Sequence, residues 1–121
     1  MASTDIHIPF ASPGLVGGVT IAHQVIAKLA GKAARATYGV VAMQEKPMRR
    51  LSHFLRSSFT DGVEVAVHDG RANIALHVVM ERGLNLAQVT ANLQEQVRYQ
   101  VGEVCGVPLG EVTVRVEDLQ D

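Results

Sequence analysis

The sequence predicts an α+β fold: a two-layer domain in which a small mixed sheet, built around a central β-hairpin, carries two amphipathic helices packed on one face. Three observations predict it. Apolar residues recur at helical spacing in two segments, valines alternate with other residues beside an Asp-Gly turn, and another alternating run follows the second helical segment. Elements that each bury one face pack against one another in layers.

The first helix is predicted over residues 22–38, with Gly39 as its C-terminal cap. Its start is weakly marked, because Ala22 stands where a capping Ser or Asp is expected. A second face of the helix is basic and carries Lys28, Lys32 and Arg35. The face expected to be buried consists of Val25, Ile26, Leu29, Ala30, Ala33 and Thr37. A short strand is predicted on either side of this helix, over residues 18–21 and 40–43.

The central hairpin turns at Asp69-Gly70, a pair typical of a type I′ turn because both residues tolerate positive φ. A two-residue loop makes His68 and Arg71 the closing pair, and the register follows by counting. The predicted pairs on the core face are Val67 with Ala72, Val65 with Ile74 and Val63 with Leu76.

The opposite face of the hairpin is smaller and less charged than an ordinary solvated face. It consists of Glu64, Ala66, Asn73, Ala75, His77, Val79 and Glu81. Such a face is consistent with a second buried surface, with a contact to another chain, or with a simple exposed sheet face. The exposed face is the favoured interpretation.

The second helix is predicted over residues 86–105, opened by an approximate capping box of Asn85 and Gln88 and ended by Gly106. Its apolar stripe consists of Leu86, Val89, Leu93, Val97, Val101 and Val104. A final strand follows Pro108, with Val112, Val114 and Val116 at alternate positions.

Residues 46–59 have the pattern of a short basic amphipathic helix. Such a helix can lie on an anionic membrane, bind an acidic protein face or contact phosphates, and its apolar side can also simply pack on the core. The basic side is available under either interpretation. Together with the first helix, it supplies the candidate partner-binding residues Lys28, Lys32, Arg35, Lys46, Arg49, Arg50 and Arg56.

The formal charge of −1 conceals an asymmetry between the two halves of the chain. Residues 1–56 hold seven basic and two acidic side chains, whereas residues 57–121 hold four basic and ten acidic ones. This distribution suits head-to-tail self-association or an anionic partner, unless the charges mix in three dimensions.

Length and composition indicate one globular domain of 121 residues, 47% of them hydrophobic and 19% charged. We expect residues 1–17 to be a flexible tail and residues 18–118 to be the domain. A single cysteine excludes an internal disulfide and fits the cytoplasm. The basic start of a signal peptide is missing, and no apolar run approaches the ~18 residues of a membrane span.

No motif in the sequence predicts a catalytic site, a metal site or a bound cofactor. The histidines form neither a His-x-x-x-His nor a Glu-x-x-His pair, so ordinary surface histidines are expected. Cys105 at the end of a helix is expected to be a small buried filler, because a helix C-terminus does not stabilise a thiolate. The glycines at residues 14–18 lack the Lys-Ser/Thr of a phosphate-binding loop and are assigned to the tail.

Several segments, in this order and spacing, resemble the bacterial alkaline shock protein family, also called cell-envelope stress response proteins. They are Val19-Thr20-Ile21 with the helix through Gly31, Tyr38-Gly39-Val40, the hairpin over residues 62–81, and the second helix with Gly106-Val107 and the strand over residues 111–116. The resemblance covers about residues 18–117. It implies a non-enzymatic cytoplasmic protein that self-associates, and in some members is held at the membrane by a separate anchor protein.

Our leading hypothesis is an envelope stress scaffold or adaptor that self-associates and docks on a membrane-anchored partner protein at the inner face of the membrane. The alternative is a regulatory module that binds a soluble enzyme, for example one of lipid synthesis. Nucleic-acid binding is disfavoured by the acidic second half and by an aromatic content of 4%.

Overall fold

The structure, a computed structural model, describes residues 5–9, 17–45 and 58–121, and these residues form an α+β fold as predicted. Its helices are α1 (His23–Arg35) and α2 (Leu86–Val97), and α2 continues as a π-helical segment over Arg98–Val104. The strands are β1 (Ile6–Pro9), β2 (Gly18–Ile21), β3 (Val40–Met43), β4 (Ser58–Thr60), β5 (Val63–His68), β6 (Arg71–Glu81) and β7 (Leu109–Gln120).

Strand β6 is the centre of a five-stranded mixed sheet. One side of β6 pairs in parallel with β7, while the other side pairs antiparallel with β5 along its first half and with β3 along its second half. Strand β4 lies outside β5, and β1 and β2 form a separate two-stranded ribbon. The sheet is therefore mixed, as the sequence predicted.

The hairpin has the register predicted from its turn. Val67 pairs with Ala72, and the two pairs beyond it on the core face follow the same count. Asp69 and Gly70 have φ values of 52° and 72°, the positive values that a type I′ turn requires. The turn type and the apolar alternation thus specify the same pairing.

The hydrophobic core lies between one face of the sheet and the two helices. Ile26 and Ala30 of α1 and Leu93 and Val97 of α2 are fully buried there, against the core face of β5 and β6. Both helices therefore pack on the same side of the sheet, as predicted. Within the described part of the chain, neither helix combines the length and apolar character needed to cross a membrane.

Helix α1 is shorter than predicted and is rotated slightly from the predicted face. It ends at Arg35 because Ala36 and Thr37 already belong to the turn that leads to Gly39, whose φ is +96°. The Thr37 hydroxyl donates to the Ala33 carbonyl and closes this end. Val25, predicted to be buried, is 46% exposed, so the apolar stripe is centred on Ile26, Ala30 and Ala33.

The segment before Gly18 is not wholly a tail, as the sequence had suggested. Residues Ile6–Pro9 form strand β1, which pairs with β2, and Ile6 is fully buried in the core. The short alternation of this strand was concealed by the prolines and glycines around it.

Strand β4 occupies the end of the segment that we predicted to be a basic helix. Residues 46–57 lie outside the described residues, so that part of the prediction stays untested. Ser58 and Phe59, however, are in an extended strand and pair with Val65 and Glu64 of β5, so the predicted helix cannot reach residue 59. An available strand partner outweighs the helical spacing of these two residues.

Candidate functional site: a basic row beside a groove between the helices

The exposed face of α1 carries three cations in a line. Lys28, Lys32 and Arg35 lie at successive helical turns, all exposed, because Ile26 and Ala30 turn the other face of the helix into the core. Among the residues that the structure describes, none of the three forms an ion pair. We call them the basic row; it is a local positive surface that no neighbouring described carboxylate neutralises.

The structure brings together only this part of the predicted partner-binding set. Lys46, Arg49, Arg50 and Arg56 lie outside the described residues, and their role stays a prediction. The basic row was predictable from the spacing of Lys28, Lys32 and Arg35 alone, because any helix over these residues places them on one side.

A groove runs beside the basic row, between α1 and the antiparallel α2 with its π-helical extension. It consists of two adjoining clefts of about 370 and 430 Å³ that share Ala36 and Gln96. We call this the helical groove. Its α1 wall consists of Leu29, Lys32, Ala33, Ala36, Thr37 and Tyr38, and its other wall consists of Asn92, Glu95, Gln96, Tyr99, Gln100 and Cys105. Small alanines at the base keep the groove open.

Two tyrosines stand at one end of the helical groove, on opposite walls. Tyr38 is 78% exposed and Tyr99 is 52% exposed, although tyrosine rings carry much apolar surface. The turn after Tyr38 requires a glycine, because Gly39 has a φ of +96° and a Cβ there would lie 2.9 Å from Cδ1 of Leu84. Exposed aromatic side chains beside cations are typical of protein-binding surfaces. The pair could not be predicted from the sequence, because only the tertiary fold brings the two tyrosines to the same groove.

The π-helical segment determines which side chains reach the groove. Its wider turns rotate residues out of the phase of the preceding α-helix, so Val104, predicted to be buried, is 57% exposed, and Val107 enters the core instead. Cys105 is exposed at the groove and not the buried filler that we predicted. A seven-residue π-helical segment gives no signal in the apolar periodicity of the sequence.

A second polar arrangement lies on the opposite face of the sheet. The His77 ring is fully buried between two carboxylates, with Nε2 2.8 Å from Glu64 Oε2 and Nδ1 2.9 Å from Glu117 Oε1. Glu117 Oε1 also lies 2.7 Å from Nε of Arg115. The chain of contacts joins β5, β6 and β7, and the Phe59 ring of β4 packs edge-on against His77.

This buried cluster fits a structural role. Each ring nitrogen of His77 lies at hydrogen-bond distance from a carboxylate oxygen of a neighbouring strand, so the ring links Glu64 of β5 to Glu117 of β7. Glu64 and His77 are closed off from solvent, which leaves no access for a substrate. Within the described residues, no group of three or more His, Cys, Asp or Glu is arranged to hold a metal ion.

The cluster corrects two predictions about this sheet face. His77 is not a surface histidine, and the middle of the face is buried, including Ala66, Ala75 and Val79, so the favoured exposed interpretation is wrong. The predicted register already contained the signal. With His77 opposite Gly62, Glu64 is its diagonal neighbour on the same face, within reach of an ion pair.

Comparisons with known proteins assign most of the chain to one family. Residues 12–120 match the alkaline shock protein family, ASP23, which is described by a cell envelope-related function. The chain is 30% identical to the uncharacterized protein YloU of Bacillus subtilis over 107 residues, covering 86% of this chain and 89% of that protein. It is 26% identical to the uncharacterized protein Spy1614 of Streptococcus pyogenes, covering 86% of this chain and 88% of that protein. No solved structure matches the chain.

Proposed function

The chain belongs to the alkaline shock protein family, ASP23, whose function relates to the cell envelope, and we propose that it acts there as a non-enzymatic adaptor. In this proposal the protein stays in the cytoplasm and docks on a membrane-anchored partner protein through the helical groove and the basic row. The family supports a role at the envelope, while the choice of surface comes from the geometry of this chain.

One observation carries the proposal: a lysine of the basic row and two exposed tyrosines line the same groove. Lys32 and Tyr38 lie on one wall and Tyr99 on the other. Exposed aromatic rings and unpaired charges contribute little to the stability of the folded domain. A surface that carries both is therefore better explained by binding to a partner.

A binding role is also favoured over catalysis by the position of the polar groups. Glu64 and His77, which have the side chains most suited to proton transfer, lie in the sheet interior and already hydrogen bond to each other. Glu95 and Cys105 line different clefts of the helical groove, and the other lining side chains are amides, hydroxyls, a lysine and apolar groups. Those groups suit recognition better than chemistry.

The test is the location of the native protein in cells and the identity of its partner. Cells are crosslinked and separated into membrane and cytosol, and the proteins attached to the chain are identified. We expect a large fraction with the membrane, attached to a protein that has a transmembrane helix. The Lys28→Glu/Lys32→Glu variant should shift to the cytosol while keeping its melting temperature.

A second candidate function is a regulatory module for a soluble enzyme, since the same groove would suit a segment of such a partner. This alternative predicts that the wild-type protein stays in the cytosol and is crosslinked to an enzyme there. That result would exclude docking at the membrane, and the groove would then be a binding site for the soluble enzyme.

A further inference from the structure

We propose that the occupant of the helical groove is a single amphipathic α-helix of the partner, with an apolar stripe along one side and acidic residues beside it. The inference rests on the proposed function, because it names the kind of segment that the adaptor would hold. It is carried by the shape, the charge and the side chains of the groove.

The elongated shape of the groove suits a single α-helix. The two clefts follow one another along the antiparallel helices and adjoin at Ala36 and Gln96, so together they give the site an elongated outline. A third helix laid along the helical groove completes a three-helix layer, with its ridge of side chains in the groove between the first two. A flat bilayer would contact the rims of this groove and leave its base unfilled.

The positive charge of the site lies on the α1 side. Lys32 lines the groove, and Lys28 and Arg35 lie one turn to either side of it, seven residues or about 10 Å apart along the helix. The opposite wall carries Glu95 in the second cleft and is otherwise uncharged, with Gln96 and Gln100 nearest to Lys32 along the first cleft. Carboxylates at positions i, i+4 and i+7 of a docked helix would repeat the spacing of the basic row and pair with it along one side only.

The apolar contacts follow from the base and the end of the groove. Ala33 and Ala36 leave room for large side chains of the docked helix to reach the base. Leu29 borders the first cleft, and Tyr38 and Tyr99 border the second from opposite walls, so an apolar side chain placed there gains contact with an exposed ring. Apolar and aromatic anchor residues carry most of the affinity in helix-in-groove complexes.

The probe for the test is a designed peptide of about 20 residues, long enough to form a helix along the groove. One peptide carries leucines at helical spacing with glutamates beside them. A second replaces the glutamates with lysines, and a third places proline at its centre to break the helix. Fluorescence anisotropy at low salt measures binding to the full chain. We expect the acidic peptide to bind and each of the other two to bind at least about tenfold more weakly.

Variants of the protein locate the binding. Lys28→Glu/Lys32→Glu should weaken binding of the acidic peptide by about tenfold or more, and Ala36→Trp should do the same by filling the base of the groove. Arg71→Glu/Arg82→Glu is the matched control, since it changes the net charge equally at two exposed residues that do not line the groove. Its affinity should stay within about twofold of wild type.

Equal binding of the acidic and lysine peptides, or equal loss in the control variant, would overturn the proposal. So would absence of peptide binding together with Lys28-dependent binding to vesicles of phosphatidylglycerol, which would assign the site to a lipid surface. A different result would exclude the proposed function alone: the acidic peptide binds in the groove, but the native protein stays in the cytosol. If the native protein is at the membrane and the peptide does not bind, only the helical occupant is excluded.

Discussion

His77 illustrates how much a single side chain contributes to this sheet. Its ring joins carboxylates from the strands on either side of β6, so it ties three neighbouring strands together in a region without solvent. Burial of charged groups is unfavourable unless they are paired, and here Glu64 and Glu117 both contact the ring, while Arg115 contacts Glu117 at the partly exposed end of the cluster. Replacement of the ring should therefore be costly even though the protein would retain its apolar core.

We predict that His77→Leu lowers the free energy of unfolding by about 3–5 kcal/mol, because it removes the ring partner of the fully buried Glu64 carboxylate and of the largely buried Glu117. Urea denaturation followed by circular dichroism measures this loss. The matched control is His68→Leu on the neighbouring strand, where the ring is largely exposed beside Asp69 and the change should be below about 0.5 kcal/mol. A similar small change for His77→Leu would show that the cluster does not stabilise the fold.

Asp5 provides the N-terminal cap of α1 that the local sequence at Ala22 lacks. Its Oδ1 accepts a hydrogen bond from the backbone N–H of His23 at 3.0 Å and lies 3.3 Å from the His23 ring nitrogen Nδ1. A carboxylate at this end also interacts favourably with the helix dipole. The cap comes from 18 residues away along the chain, which is why local pattern at Ala22 could not reveal it.

Removal of this distant cap gives a second prediction. Asp5→Ala should cost about 1 kcal/mol of stability and speed amide hydrogen exchange in the first turn of α1. Asp5→Asn keeps an oxygen acceptor and should recover most of the loss. Hydrogen exchange read by NMR checks both, and unchanged exchange in Asp5→Ala would mean that the contact to His23 contributes nothing to the helix.

At the scale of elements, the sequence was most informative where two independent signals agree. The hairpin was predicted pair by pair, because the turn residues and the apolar alternation specify one register. The end of the second helix could not be predicted, because the change from α to π turns leaves the apolar spacing of the sequence unchanged. The change from α to π turns determines which side chains line the helical groove. The positions of Tyr99 and Cys105 in its wall could therefore not be predicted from the apolar periodicity.

Helix α2 should be the element on which the fold depends most directly. Leu93 is fully buried at the centre of its stripe, as predicted, and Leu93→Asp should prevent folding because it places a carboxylate in the core. Ala91→Asp is the control, on the exposed side of the same helix, and should cost less than about 1 kcal/mol. Thermal melts of both variants test this. A cooperative melt of Leu93→Asp near the wild-type temperature would contradict the core described above.

At the scale of the whole molecule, the charge asymmetry of the sequence has one clear structural counterpart, the basic row on α1. The acidic residues of the second half are spread over several elements, among them Glu95, Glu111 and Asp118. Exposed basic and acidic residues on different elements allow electrostatic contacts between copies of the chain, and self-association stays a prediction. The predicted contribution of residues 46–57 to either surface stays a prediction.

Electrostatic self-association should weaken as salt is raised, because screening shortens the range of attraction between exposed charges. We predict that the apparent mass at high protein concentration falls toward that of the monomer between about 0.05 and 0.5 M NaCl. Light scattering after size-exclusion chromatography measures it. A monomer at every salt concentration would exclude self-assembly and leave the adaptor role to be carried by single copies.

The most direct test of the adaptor role is a photo-crosslink from inside the helical groove in living cells. A photoreactive amino acid is placed at Ala36, at the base of the groove, and in a control strain at Asp69, at the tip of the hairpin. Our account predicts that Ala36 crosslinks to a protein with a membrane anchor, through an acidic helical segment of that protein, and that Asp69 does not. Crosslinks from Asp69 alone, or crosslinks from Ala36 only to a soluble enzyme, would contradict it.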